Sequence, residues 1–290
     1  MRQKVFSFFK FFFLTVFVAS STVACNTTLP KEKIHEILSL DMPSEPAELS
    51  VEQLVKIMDN TIDPKQQFKK ANSYILRQKI VDMKAYTEMA NIMSTKETKK
   101  YTYEEYETEL KFKSPDMIRQ TSIRNGTPFS ILLMRDGRAW DINPRTNKAT
   151  EIIGHRLDLT RTFTMMSNPA NSILDAFPDV RVDCVYIGKM RHYRLICRAA
   201  NPDIAPYIIY VNAETYLQTK AETILYTDDG NMFLYTAFPS NFQRRDGILL
   251  PTRTTIEVGE NKDISTLLEF DVDVNFKEAD FDLPSQLELN

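Results

Sequence analysis

Between Glu109 and Pro144 the chain alternates apolar and polar residues in short runs and breaks each run at a polar turn, the pattern of consecutive antiparallel strands. Leu110 and Phe112 alternate with Glu109, Lys111 and Lys113, so one face of this strand is buried and the other wet. Ser114-Pro115-Asp116 interrupts the run and Met117 to Arg124 resumes it, ending at Asn125-Gly126. Phe129 to Met134, then Asp136-Gly137, then Arg138 to Ile142 follow, closed by Asn143-Pro144. A type I′ turn needs positive φ at both central residues, which Asn-Gly and Asp-Gly supply at little steric cost. Strands joined by such turns lie side by side as a meander.

Four of the seven glycines follow Asn or Asp: Gly126, Gly137, Gly230 and Gly247. The others, Gly154, Gly188 and Gly259, also border strand-like runs, so no glycine-rich phosphate cradle is present. A second series of strands is expected at Val180–Ile187, Arg191–Arg198, Tyr207–Val211, Tyr216–Tyr226, Met232–Phe242, Ile248–Val258 and Ile264–Phe276. In the last of these Leu268, Phe270, Val272, Val274 and Phe276 alternate with Glu269, Asp271, Asp273 and Asn275. Two helices precede the first meander. Ser50 with Gln53 fits a capping box ahead of Val51, Leu54, Val55 and Met58. Asp63-Pro64 reads as a second start, with Phe68, Ala71 and Ile75 as its stripe and an end near Ile80. Ala85 to Ser94 then reads as the first strand, and Tyr103 opens the second. Residues 155–177 are not strand-like; a helix starting at Asn168-Pro169 would carry Ile173, Leu174 and Phe177 and split the two meanders.

The first 24 residues read as a secretory leader: Arg2 and Lys4, an unbroken apolar run from Phe11 to Val18, then small residues up to Ala24. The run is too short for a membrane span. Thr22-Val23-Ala24-Cys25 resembles a bacterial lipobox with Thr22 in place of the usual Leu, and the resemblance implies that Cys25 becomes the lipidated first residue of the mature chain. Multiple acyl chains anchor stably, each buried CH₂ contributing roughly 0.8 kcal/mol. The alternative is ordinary cleavage after Ala24. Residues 25–49, with Pro30, Pro43 and Pro46, read as a tether, although Ile34, Ile37 and Leu38 could form one amphipathic turn. Residues 50–290 then form one folded domain. The formal charge is −3, and removing the leader with its bases Arg2, Lys4 and Lys10 makes the remainder more acidic still, so no basic nucleic-acid footprint is present.

The order helix, meander, helical insertion, meander resembles that of the LolA-like superfamily of lipoprotein carriers. Phe112-Lys113-Ser114-Pro115-Asp116-Met117-Ile118-Arg119 is similar to that family's strand-Pro-turn-Arg segment. Arg135 to Pro144 is similar to its Asp-Gly-x-x-Trp hairpin, with Ile142 replacing the usual aromatic. Tyr207 to Asn212 and Leu250 to Arg253 match later strands loosely, so the resemblance spans about residues 63 to 284. It implies an α+β, mainly β fold: a curved antiparallel barrel of about 11 strands, left unclosed, with helices over its open side. It further implies a hydrophobic cavity for lipid or for the acyl chains of lipoproteins, and an envelope location, anchored through Cys25 and facing the periplasm. Asn26 is not the Asp that commonly retains lipoproteins at the inner membrane, which points to the outer one. A protein partner is not identifiable. The rival is a non-catalytic regulatory or structural envelope protein whose cavity is filled by its own helices.

Phe112, Ile118, Leu133 and Trp140 are the candidate cavity residues, expected on the concave face under helices at 64–80 and 168–177; core packing is the alternative for Trp140. Met83, Met89, Met93, Met117, Met134, Met165 and Met166 would suit an adaptable lipid site or an irregular core equally. The three histidines, His35, His155 and His192, have no metal-ligand spacing, and no Gly-x-Ser-x-Gly elbow occurs, so neither a metal, a cofactor nor catalysis is expected. Glu104-Glu105 and Asp228-Asp229 read as solvated pairs. Cys184 and Cys197 flank Gly188 to Tyr193; a four-residue loop would oppose them in disulfide reach, whereas a two-residue turn at Gly188-Lys189 would slip the register and leave two buried thiols.

Overall fold

A computed structural model of the chain describes residues 34–88, 98–226, 232–259, 261–284 and 288–289. The leader, Cys25, the first part of the tether, Met89, Met93, Asp228-Asp229 and Gly230 lie outside the described residues. The helices are α1 (Ile34–Ile37), α2 (Val51–Ile62), α3 (Gln67–Lys70), α4 (Gly154–Ser167) and α5 (Ile173–Ala176). The strands are β1 (Glu45–Pro46), β2 (Ser73–Glu88), β3 (Thr98–Lys113), β4 (Met117–Arg124), β5 (Thr127–Arg135), β6 (Arg138–Asn143), β7 (Lys148–Ile152), β8 (Asp179–Ile187), β9 (Met190–Arg198), β10 (Tyr207–Asn212), β11 (Gln218–Tyr226), β12 (Met232–Arg245), β13 (Ile248–Val258), β14 (Asn261–Val272) and β15 (Glu288–Leu289).

All of them join one 15-stranded sheet in the order β1-β8-β9-β10-β11-β12-β13-β14-β2-β3-β4-β5-β6-β7-β15. Two meanders are therefore stitched together where the last long strand, β14, pairs with the first, β2. The two ends, β1 and β15, do not pair with each other, so the sheet is an unclosed barrel. The pairings are antiparallel except β15 on β7. The sheet exceeds the expected count partly through the short edge strands β1 and β15 and through β7.

β2 and β3 show why the chain adopts this form. Tyr74, Leu76, Gln78 and Ile80 pair with Phe112, Leu110, Thr108 and Tyr106 on one face. On the other face Arg77 meets Glu109 and Glu269 at 2.7 Å, and Lys79 meets Glu105 at 2.7 Å, a charge ladder running across three strands. The expected helix from 64 to about 80 is thereby corrected. Asp63 does cap, accepting from the backbone N–H of Gln67 and Phe68, but α3 stops at Lys70. From Ser73 the period-2 pattern, with ladder partners on both sides, outweighs the accidental spacing of Phe68, Ala71 and Ile75.

α2 begins at the expected capping box: Gln53 N–H donates to Ser50 Oγ at 3.3 Å and Ser50 N–H to Gln53 Oε1 at 2.8 Å. Its Leu54, Val55 and Met58 are buried, about 1.5–3 kcal/mol each relative to exposure. The insertion holds α4, which ends where a helix start was expected. Asn168 N–H donates to Thr164 O, and its side chain accepts from Ala170 N–H. The next helix, α5, starts instead at Ser172, whose hydroxyl accepts from Leu174 N–H.

Residues from Ile34 on, assigned above to the tether, pack against the sheet. Leu38 joins Val185, Ile208, Tyr210 and Ile224 in one cluster, and Arg194, itself buried, donates to Ser39 O at 2.7 Å.

Candidate functional site: the helix-covered face of the sheet

Opposed residues in an antiparallel ladder share a face, so the register assigns every side chain to one of two surfaces. The face bearing Leu195, Ile209 and Ala221 packs against Leu54, Val55 and Met58 of α2 and Phe163 and Met166 of α4. Following the pairs across the sheet, the same face carries Tyr235, Ile256, Ile80, Leu76, Leu110, Phe112, Ile118, Met134 and Ala139. Phe68 of α3 and Leu157 of α4 cover its second half. α4 spans the interior: Tyr74 Oη donates to Ser167 O at 3.2 Å, and Leu159 reaches the Leu225–Phe233–Tyr235 cluster.

The candidate cavity residues divide between the faces. Phe112 and Ile118 oppose each other on the helix-covered side, whereas Leu133 and Trp140 oppose each other on the other side. The reason is parity. Ile118 pairs with Met134, so its neighbour Leu133 points away. Leu133 and Trp140 pack with Ile75, Ile131, Ile142, Phe276 and Phe281 under the C-terminal segment. Arg138 lies over the Trp140 ring at 5.0 Å from its centroid. Asp273, at φ 55°, turns that segment across the outer face, where Lys113 Nζ donates to Phe276 O and Arg119 to Asp280 O. The methionines do not gather either: Met134 and Met166 sit in separate clusters, Met117 lies on the outer face and Met165 is exposed.

The cysteines also require a correction. Gly188, at φ 61°, and Lys189 form a two-residue turn that pairs Ile187 with Met190. Glycine at the first central position with φ > 0 suits type II′. Cys184 consequently opposes Tyr193 and Cys197 opposes Val180, and both thiols are free and buried. Arg191 Nη2 lies 3.3 Å from Cys184 Sγ and also pairs with Glu48. Of the histidines, His192 is buried with Nδ1 3.0 Å from Met190 O, and His155 is exposed. Among the described residues no group of His, Cys, Asp and Glu could hold a metal ion.

What the sequence reading missed is a polar belt within the covered face. Thr254–Ser265–Ile80–Tyr106 form one row across β13, β14, β2 and β3. The adjacent rows are Leu267–Gln78–Thr108–Ser122–Ser130 and Leu110–Gln120–Leu132. Gln120 is 2% exposed, Ser122 0% and Ser265 1%. Both amide atoms of Gln120 and the hydroxyls of Ser122 and Ser265 have no hydrogen-bond partner among the described residues. Each such orphan costs about 1–3 kcal/mol, so a self-filled core would not select them. The signal was present in the strands, since Gln78, Thr108 and Gln120 stand at the parity of Leu76, Leu110 and Phe112. Burial raises the phenol pKa values of Tyr74, Tyr207 and Tyr235, and of Tyr106 together with the neighbouring Asp263 and Asp82. The interior is therefore a weakly solvating environment.

No protein-family model and no curated protein sequence matches the chain. Solved structures do. A LolA superfamily protein from Nitrosomonas europaea superposes with TM-score 0.52 at 13% identity, covering 81% of this chain and 98% of that one. A DUF1329 family protein from Desulfovibrio piger follows with TM-score 0.48 at 16% identity, over 79% of this chain and 94% of that one. A domain described as an outer membrane lipoprotein-sorting protein, from Vibrio parahaemolyticus, has TM-score 0.47 at 9% identity with the same two coverages, 79% and 94%. At these identities the likeness is one of fold, and the first of them carries it: the unclosed, helix-covered sheet is the LolA-type fold.

Proposed function

We propose that this chain is an envelope protein that holds an acyl chain, from a lipid or a lipidated protein, along the helix-covered face of its open sheet, for sorting or transport. In this reading it is tethered through Cys25, faces the periplasm and resides at the outer membrane. Among the described residues no helix is long and apolar enough to cross a membrane. The observation that carries the reading is the interior itself. Apolar clusters around Phe112 and around Tyr235 flank a stretch in which the Gln120 carboxamide and the Ser122 and Ser265 hydroxyls find no partner among the described residues. A curved sheet with an apolar inner face fills that face with its own side chains, with helices or with a ligand, and here the protein's own groups leave part of it unmatched. The LolA-type fold agrees with such a role.

The rival reading, an interaction protein with a self-filled interior, draws on one observation: Leu157, Leu159, Phe163 and Met166 of α4 already occupy the covered face. Native mass spectrometry separates the two. The full chain with Cys25→Ser, expressed in a bacterial envelope and purified without detergent, is expected to carry a non-covalent lipid that organic extraction releases. A bare protein mass and an empty extract would sink the acyl-binding reading and favour the rival.

A further inference from the structure

The belt has a composition of its own. Three of its orphaned groups, the Gln120 carboxamide and the Ser122 and Ser265 hydroxyls, are uncharged, and each can both donate and accept; the Nε of Arg124, two residues beyond Ser122 on β4, is a charged donor beside them. They are flanked along the same face by hydrocarbon: Leu110, Leu132 and Phe112 on one side, Ile256 and Tyr235 on the other. The next row outward is acidic. Asp263 opposes Asp82 and Asp82 opposes Glu104, and Arg124 pairs with Glu104 at 2.9 Å and stacks on Phe129 at 4.9 Å. A charged headgroup seated on the three neutral groups would exchange its hydration for neutral hydrogen bonds, a costly exchange in a buried site.

We infer that the belt formed by Gln120, Ser122 and Ser265 is a subsite for the uncharged ester or amide neck of an acylated amphiphile, whose hydrocarbon lies on the flanking clusters. The inference rests on the acyl-binding reading above and deepens it by naming the ligand's polar chemistry. A carboxamide offers a donor to an ester or amide carbonyl and an acceptor to an amide N–H or hydroxyl, so one side chain serves both necks. Ser122 and Ser265 stand three strands apart, roughly 14 Å along the sheet, so the belt spans more than a single carbonyl and suits a neck with two or more polar groups.

Competition for a bound fluorophore tests this. The full chain with Cys25→Ser is loaded with 1-aminoanthracene, and four ligands of equal chain length displace it: monolaurin, lauroyl ethanolamide, laurate and dodecane. The two neutral necks are expected to compete at concentrations about tenfold lower than dodecane, the sum of one or two neutral hydrogen bonds, and lower than laurate. A stronger ester arm assigns the source to a glycerolipid, a stronger amide arm to an N-acylated protein. Gln120→Leu with Ser122→Ala should reduce the tenfold preference to within about twofold while dodecane binds as before. Ser265→Ala, a smaller change, should lower it in part. Without ligand, Gln120→Leu should melt at or above the wild-type temperature; a lower melting point would show that Gln120 is held by other partners and overturn the subsite. Equal displacement by all four ligands, a preference for laurate, or an undiminished preference in the double variant would also overturn it, leaving the acyl-binding reading intact. Failure of the wild type to take up the fluorophore or any of the four ligands would remove both.

Discussion

Cys184 and Cys197 sit on adjacent strands with side chains on the same face, yet four residues of register separate them, about 13 Å along the strand. A disulfide cannot span that distance. Burial raises both thiols, Cys197 the more completely enclosed, so neither is a ready nucleophile. Thiol labelling of the Cys25→Ser chain, denatured and never reduced, should therefore find two reactive groups, and labelling of the native protein should be slow. Zero reactive thiols after denaturation would restore the four-residue loop. A second prediction concerns Glu48, whose carboxyl is lowered chiefly by its hydrogen bond from Arg191. A depressed folded pKa makes the unfolded chain the better proton acceptor, so stability contributed by this pair is complete above the ordinary value of 4.5 and is lost as pH falls through the lower folded value. Glu48→Gln should flatten the acid limb of the stability curve below pH 4.5, read by urea melts at stepped pH; an unchanged limb would show that the pair does not act in solution.

β14 illustrates how an element departs from its own sequence pattern. Strict alternation from Leu268 to Phe276 would bury all five apolar residues on one face. A bulge between Leu267 and Glu269 instead leaves Leu268 48% exposed, and the turn at Asp273 sends Phe276 to the opposite face from Phe270. The bulge shifts one residue out of the pairing and inverts the parity of what precedes it. Leu268→Lys is accordingly expected to change stability by no more than about 0.5 kcal/mol, whereas Phe270→Ala should cost about 3–5 kcal/mol, both by chemical denaturation. Comparable losses at the two positions would mean that the strand is regular. The same reasoning explains the lost helix at 64–80. Local spacing favoured a stripe, but Tyr74 to Ile80 gains ladder partners from β3 and from β14, which lies about 190 residues away in sequence.

At the scale of the whole molecule the sheet has two apolar faces, one covered by helices and the other by the two chain ends. The N-terminal stretch from Ile34 to Met42 packs outside β8 to β12, and the C-terminal segment packs outside β2 to β7. Trp140, the single tryptophan, reports only on the outer face. Phe281→Ala should red-shift its emission and increase its quenching by acrylamide, because Phe281 helps close the Leu133–Trp140 cluster. Acyl ligand on the inner face should leave that emission unchanged. A large ligand-induced shift would place the ligand on the outer face and contradict the covered-face site.

Residue order alone determined the strands from β4 to β14 apart from β7, with most of their limits, the capping box at Ser50, the helical break between two meanders and the mainly β class, whereas Ser73 to Ile80 of β2 read as helix. These features depend on contacts within a few residues, and alternation, Asn-Gly and Asp-Gly encode them directly. The pairing of β14 with β2, the split of Phe112 and Ile118 from Leu133 and Trp140, the separation of the two cysteines and the unpartnered Gln120, Ser122 and Ser265 were decided only by the tertiary structure. The physical reason is parity. A strand states that its residues alternate, but which set faces inward depends on the turn that precedes it and on the helices that come to cover it, and a slip of one residue exchanges the two faces.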